Sequence, residues 1–333
     1  MSAHSETKRR LGLLSVVAPL FNEEATVEEF HRRVVGALGD APLELILVDD
    51  GSKDGTPALL AELAGRDARV RVVTLSRTFG HQAAITAGLD HARGDATVMI
   101  DSDLQDPPEL IPQMLDRWHE GADVVYAVRR ERAGETRMKL TTARWFYRLF
   151  SRISQVELEP NSGDFRLLDR EALEALRSMR ERSRFLRGMT VWVGYNQTSI
   201  PYERDPRFAG ETKYTLRRML RLSLDAISSF SNLPLQLAML LGFVFSIIAF
   251  LAIPIAIGFR IAGEFVPGIT TVLLVVLLLG GIQLITVGII GEYLGRVYDE
   301  VKRRPLYLVS NRLNVSAEEV PESVEHGPAA HER

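Results

Sequence analysis

Cysteine is absent from all 333 residues, which excludes disulfides, thiolate catalysis and cysteine-based zinc or iron–sulfur sites. An excess of positive charge is also missing. The net charge is −3, so the chain lacks the strongly basic footprint of a nucleic-acid partner. No G-x-G-x-x-G follows the first apolar run, where a dinucleotide fold needs its glycines. That turn carries Asn22, Glu23 and Glu24 instead, and carboxylates repel a pyrophosphate unless a metal intervenes. A nicotinamide dehydrogenase is therefore disfavoured. Lys8, Arg9 and Arg10 before Leu11 to Phe21 imitate a signal peptide, but no small-x-small cleavage site follows. Pro19 and Asn22–Glu23 suit a strand and its loop better.

What the chain has is a set of apolar runs that end in acidic turns: SVVAPLFNEE from Ser15, LILVDDGSKDGT from Leu45 and VMIDSDLQDPPE from Val98. Strands are expected at residues 14–18, 43–48, 70–75, 96–100 and 124–128, with helical patterns between them. Val27, Phe30, Val34 and Leu38 repeat at the spacing of one helix face, and Thr26 with Glu29 forms a capping-box pattern. The alternation predicts an α/β fold with a mostly parallel sheet and helices on both faces. Such sheets bind ligands beyond the carboxyl ends of their strands. Asn22, Glu23, Asp49, Asp50, Asp101 and Asp103 are thus expected to share one site. An Asp-x-Asp where a strand ends can hold a divalent cation, and Mg²⁺ is usually bound by one or two carboxylates plus substrate phosphates.

Two runs near the C-terminus, residues 233–259 and 265–291, contain no charged residue. Each exceeds the ~20 residues that cross a hydrocarbon core, and the short turn between them makes a helical hairpin. Lys213, Arg217, Arg218 and Arg221 precede the first run, and Arg296, Lys302, Arg303 and Arg304 follow the second, against Arg260 alone in the turn. The positive-inside rule then puts the large N-terminal domain and both termini in the cytoplasm. The expected division is a tail at 1–10, a cytoplasmic domain at 11–212, an amphipathic juxtamembrane segment at 213–232, the two spans, a second juxtamembrane segment at 292–310 and a disordered polar tail at 311–333.

From about Leu14 to Pro305 the chain resembles the family 2 glycosyltransferases, in particular the polyprenyl-phosphate type related to dolichol-phosphate mannose synthase and bactoprenol glucosyltransferase. The three acidic turns carry the likeness, together with NSGDFRLLDR from Asn161, RFLRGMTVWVGY from Arg184 and FAGETKY from Phe208. In the last, Thr212 stands where the family has serine, so the hydroxyl is kept. The Q-x-x-R-W motif of processive family members is missing, which favours a single transfer over polymer extension.

The resemblance implies a glycosyltransferase A-type fold in a multi-pass protein of a bacterial-type inner membrane. It implies a nucleotide-sugar donor held by Pro19, Asn22, Glu23, Asp50, Ser52, Asp101 and Ser102, with Mg²⁺ or Mn²⁺ on Asp101, Asp103 and Gln105. Asp164 becomes the catalytic residue on the acceptor side, as base or as orienting group, while Asp169 reads better as a helix cap. Asp106 is open between a place near the metal and a cap for the helix begun by Pro107 and Pro108. The acceptor is polyprenyl phosphate, held by Arg129, Arg130, Arg166, Arg207 and Lys213. The basic stretch from Arg129 to Lys139 reads on composition alone as a solvated loop. UDP-glucose is the preferred donor, with GDP-mannose or a UDP-aminosugar as alternatives. Partners are membrane lipid, a second copy of the chain and a separate flippase. The rival class is a non-catalytic membrane scaffold.

Overall fold

The computed structural model describes residues 9–130, 159, 162–203, 233–261 and 268–316. These fall into an α/β unit and a helical unit. Along the α/β unit come β1 (Leu14–Leu20), α1 (Val27–Leu38), β2 (Leu43–Asp49), α2 (Thr56–Arg66), β3 (Val70–Leu75), α3 (His81–His91), β4 (Ala96–Met99), a 3₁₀ turn at Pro108–Leu110, α4 (Ile111–His119), β5 (Val124–Arg129), β6 (Ser162–Asp169), α5 (Arg170–Ser178), α6 (Leu186–Trp192) and β7 (Gln197–Tyr202). The helical unit holds α7 (Leu233–Ile261) and α8 (Ile269–Val301), which pack on each other, and β8 (Val309–Leu313) returns to the α/β unit.

The eight strands form one sheet in the order β7-β5-β6-β4-β1-β2-β3-β8. β1 lies parallel to β2 and β4, β2 to β3, and β5 to β7. Every residue of β1 and β2 is buried, as expected of parallel strands covered on both faces, which read as continuous apolar runs. On one face α1 inserts Val27, Phe30, Val34 and Leu38, at roughly 1.5–3 kcal/mol for each fully buried side chain. α3 packs on β1 and β2 over the other face. The capping box is not formed. The Thr26 hydroxyl donates to the carbonyl and carboxylate of Glu23, and Glu29 is drawn away by Arg32.

Strand β6 runs antiparallel between β4 and β5, a non-local insertion that the β-α alternation does not predict. A second departure concerns the C-terminal segment. α8 continues past Gly291 to Val301, and the polar tail expected from residue 311 begins inside a strand, since β8 pairs antiparallel with β3. Asn314 Nδ2 donates to the carbonyls of Ala64 and Val70, and the buried Tyr307 hydroxyl donates to Asp90 Oδ2 at 2.8 Å. The physical reason is the edge: β3 would otherwise present unpaired backbone groups.

Charge at the amino ends of the strands is structural. Glu44, at the start of β2, accepts from Ser15 Oγ, Arg71 Nη1, and the backbone and side chain of Arg93. Burial pushes its carboxyl up, but these donors outweigh it and hold the group below its usual value. Glu44→Gln would leave the buried Arg71 without its counter-charge, at a cost of roughly 3–5 kcal/mol. A clear fall in thermal stability is expected with turnover per folded molecule unchanged. Lost turnover at full stability would contradict the structural role.

In the helical unit, many described apolar side chains face outward, among them Phe250 at 76% exposed and Leu284 at 74%. Exposed apolar surface of this extent marks an interaction face. Among the described residues one stretch, Leu278–Val301, with mean hydropathy 1.5, is long and apolar enough to cross a membrane. Among the described residues this is one qualifying helix against the expected pair of spans, and α8 itself runs from Ile269 past Gly291 to Val301.

Candidate active site

The carboxyl ends of β1, β2, β3 and β4 converge as the acidic turns require. After β1, Asn22 sits at φ 57°, its amide donates to Ser52 Oγ and its Oδ1 accepts from the Lys53 amide. The Glu23 amide donates to Thr56 Oγ1, and Asp49 Oδ1 accepts from the Ser52 amide. These bonds lock the first two turns together. Gly51 closes the second turn at φ +73°, where a Cβ would come within 2.9 Å of the Arg77–Thr78 backbone. The Ser102 hydroxyl donates to the Pro19 carbonyl at 2.8 Å, joining the third turn to the first.

Asp50, expected to contact the nucleotide, holds a neighbouring loop in this structure. It is 4% exposed, and its two oxygens accept the Phe79 and Gly80 amides at 2.7 and 2.9 Å. Burial raises its pKa, opposed by those two amides. Asp50 thus fixes the loop that leads into α3, whose first residue is His81.

Asp101 directly follows the buried Ile100 beyond β4, and Asp164 stands in β6. Since Met99 pairs with Arg166, two more residues of that antiparallel register set Asp101 across from Asp164. His81 lies between them, with Nε2 at 3.3 Å from Asp101 Oδ1 and 3.5 Å from Asp164 Oδ2. Gln82 Nε2 donates to Asp164 Oδ2 at 3.2 Å, while Gln82 Oε1 accepts the Leu186 amide. Arg187 Nη2 is 3.5 Å from Asp164 Oδ1.

The electrostatics separate the two carboxylates. Burial pushes Asp101 up to about 6, helped by the charges of Asp164, Asp106 and Asp103 and opposed by His81. Burial would also raise Asp164, but the His81 hydrogen bond and the charges of Arg187, His81 and Arg166 pull it well below the usual carboxylate range. For His81, burial acts downward, and the Asp164 hydrogen bond with the charges of Asp101, Asp164 and Asp103 overcomes it, to about 9.

Asp101 Oδ1 is buried and, beyond its ion-pair contact with His81 Nε2, has no hydrogen-bond partner, and Asp103 stands two residues on with its Oδ1 accepting the Gln105 amide at 3.1 Å. Hard oxygen donors of this kind fit Mg²⁺ or Mn²⁺. Mg²⁺ is usually bound by one or two carboxylates plus substrate phosphates, and Asp101 and Asp103 supply such a pair.

The expected lipid-phosphate arginines do not stay together. Arg166 is 1% exposed; its guanidinium donates to Thr190 Oγ1 and the Arg187 carbonyl and lies over the Tyr126 ring. Burial lowers its pKa to about 10, and an acceptor phosphate would have to displace those partners. Arg129 Nε donates to the Tyr202 hydroxyl, with Nη2 3.8 Å from Asp106. Arg130 lines a groove with Gln113, Asp116 and Arg117 instead. Asp106 is no cap: it accepts from the Tyr202 hydroxyl, and Pro107 precedes the 3₁₀ turn. Asp169 does cap α5, accepting the Glu171 amide. Trp192 is 61% exposed and is not a packing residue. Residues 131–139, Arg204, Arg207, Lys213, the Phe208 to Tyr214 motif and the amphipathic segment at 215–232 lie outside the described residues.

Comparison with known proteins decides the family. Residues 15–177 match the profile described as Glycosyl transferase family 2. A glycosyltransferase of Synechocystis sp., sll0501, is 46% identical over 90% of this chain and 95% of its own length. The chain belongs to glycosyl transferase family 2. This glycosyltransferase is also 41% identical to the prophage bactoprenol glucosyl transferase homolog of Escherichia coli, over 89% of this chain and 98% of that one. The glucosyl-3-phosphoglycerate synthase of Mycobacterium tuberculosis overlays on 65% of this chain and 76% of that one at 25% identity, with a TM-score of 0.46, too loose a likeness to assign anything.

Sequence reading missed His81, Gln82 and Arg187. The first two open α3, after the loop that leaves the carboxyl end of β3, and such sheets bind ligands beyond those ends, so following the chain past every strand end would have drawn attention to them. Arg187 lies inside a segment that matched the family, where Phe185 and Trp192 drew the attention.

Proposed function

We propose that this glycosyltransferase moves one glucose from UDP-glucose to polyprenyl phosphate at the cytoplasmic face of a bacterial-type membrane. The observation that carries the reading is the opposition of Asp101 and Asp164 across the β4–β6 register, one carboxylate suited to a cation and its diphosphate and the other turned to an acceptor. Its support from relatives is the match to a bactoprenol glucosyl transferase homolog along almost all of that protein's length.

In this reading Asp101 and Asp103 hold Mg²⁺ or Mn²⁺. When bound, the cation supplies Lewis-acid neutralisation of the charge developing on the departing diphosphate. Pro19, Asn22, Glu23, Asp50, Ser52 and Ser102, with Asp101, form the turns that seat the nucleotide-sugar. An oxygen of the lipid phosphate attacks the anomeric carbon as the bond to UDP breaks. The electron pair leaves with UDP, and the configuration inverts. A phosphate monoester has a second pKa of ≈ 6, so little deprotonation is needed. Asp164, held well below the usual carboxylate range, is a weak proton acceptor and serves to orient the acceptor. Arg187, 3.5 Å from Asp164, and Arg129, beside Gly163, are described arginines on that side.

The experiment incubates membranes containing the protein with radiolabelled UDP-glucose, GDP-mannose and a UDP-aminosugar, and follows label into the lipid phase. Label from UDP-glucose supports the reading; label from one of the others replaces the donor.

The reading includes α7 and α8 as a membrane hairpin with both ends cytoplasmic. With no native cysteine, single cysteines report cleanly. Gly263→Cys is expected to react with an impermeant thiol reagent in intact cells and Arg304→Cys only after lysis. Labelling of both in intact cells would overturn the hairpin.

A further inference from the structure

Of the groups that reach Asp164 among the described residues, His81 also reaches Asp101. Gln82 and Arg187 touch Asp164 without touching Asp101. The imidazole is 46% exposed, so it is not a packing residue whose burial holds α3 in place. Its backbone is nevertheless fixed, because Asp50 grips the Phe79 and Gly80 amides just before it and Gly80 turns the chain at φ +104°. A rigid loop thus presents one ring nitrogen between two carboxylates that repel each other.

We propose that His81 is a positioning residue for the transfer: its Nε2 bridges Asp101 and Asp164 and sets the spacing between the donor side and the acceptor side of the site. Asp164 already has Gln82 and Arg187 to fix its own rotamer. What those two do not supply is a link to the carboxylate expected at the donor diphosphate. Were a cation held at Asp101, the 3.5 Å contact of Nε2 with Asp164 would be the one left to keep the acceptor-side carboxylate at its distance from the donor. Displacement of a reacting group by about 1 Å can cost about 10²-fold in rate, so a bridge of this kind affects turnover more than binding.

This assignment rests on the donor and acceptor sides proposed above. The test uses the full chain in lipid nanodiscs with UDP-glucose, Mn²⁺ and polyprenyl phosphate. His81→Ala is expected to lower kcat about 10²-fold while nucleotide affinity, from calorimetry with UDP and Mn²⁺, changes less than about threefold. His81→Gln places an amide N–H near the Nε2 position and should recover much of kcat. His81→Asn, too short to reach, should not. Positioning through Asp164 also predicts non-additivity: added to Asp164→Asn, His81→Ala should cost little more.

Equal behaviour of the Gln and Asn variants, full additivity with Asp164→Asn, or loss of nucleotide affinity in step with turnover would each overturn the assignment. Should His81→Ala fail to fold, the Gln and Asn pair decides alone. If wild type transfers nothing to polyprenyl phosphate, the functional reading fails separately. The same variants are then scored on release of nucleoside diphosphate from the donor to water, and that result decides the role of His81.

Discussion

Asp101→Asn is expected to be inactive and, without metal, more heat-stable than wild type. Burial pushes the Asp101 carboxyl up to about 6, above an unfolded value near 3.9. Between those two pH values the folded protein binds more protons than the unfolded chain, so stability falls as pH rises through the window. Above pH 6 the charged carboxylate therefore costs about 1–3 kcal/mol, allowing for partial solvent access. Asn removes the charge and relieves that cost, but it also removes the oxygen best suited to a cation. Thermal melts in EDTA at pH 5 and pH 8 check the sign: the variant's advantage should appear at pH 8 and shrink at pH 5. Wild-type activity should vanish in EDTA and, as kcat/KM, decline on the acid side near the pKa of the free enzyme. Full activity in EDTA would remove the metal from the account.

Asp164→Asn is expected to keep nucleotide and metal binding while transfer falls by about 10²-fold, the lower end of the range for a positioned acid–base group. The lower end follows from the depressed pKa: hydrogen bonding from His81 and the charge of Arg187 make Asp164 a poor base, and the lipid phosphate arrives largely deprotonated. Calorimetry with UDP and Mn²⁺ should give near wild-type affinity. A loss near 10⁴-fold with a new pH dependence would restore proton removal as its role. Collapse of nucleotide affinity with normal turnover at saturating donor would move Asp164 to the donor site.

The donor-side turns were legible because they are local. Asp101 and Asp103 end an apolar run, and the alternation of strand and helix says at which end of the sheet such a run delivers them. Asp164 was reached through resemblance alone. What places it opposite Asp101 is the antiparallel insertion of β6 between β4 and β5, a pairing between segments far apart in the chain that no local period encodes. Arg166 shows the converse limit. Sequence supplies its charge, but its burial against Thr190 and Tyr126 depends on tertiary packing. The polarity of residues 311–316 suggested a tail, yet an open β3 edge captured β8. Thr26 and Glu29 had the capping-box spacing and lost it because Glu23 and Arg32 were nearer partners.

The most direct test of the central claim is the product itself. Purified protein in nanodiscs is given UDP-glucose, Mn²⁺ and a polyprenyl phosphate of defined length, and the lipid extract is read by mass spectrometry and NMR. The account predicts one hexose on one phosphate, with the anomeric configuration opposite to that of the donor. A retained configuration, a chain of several hexoses on one lipid, or an unmodified lipid beside consumed UDP-glucose would contradict it.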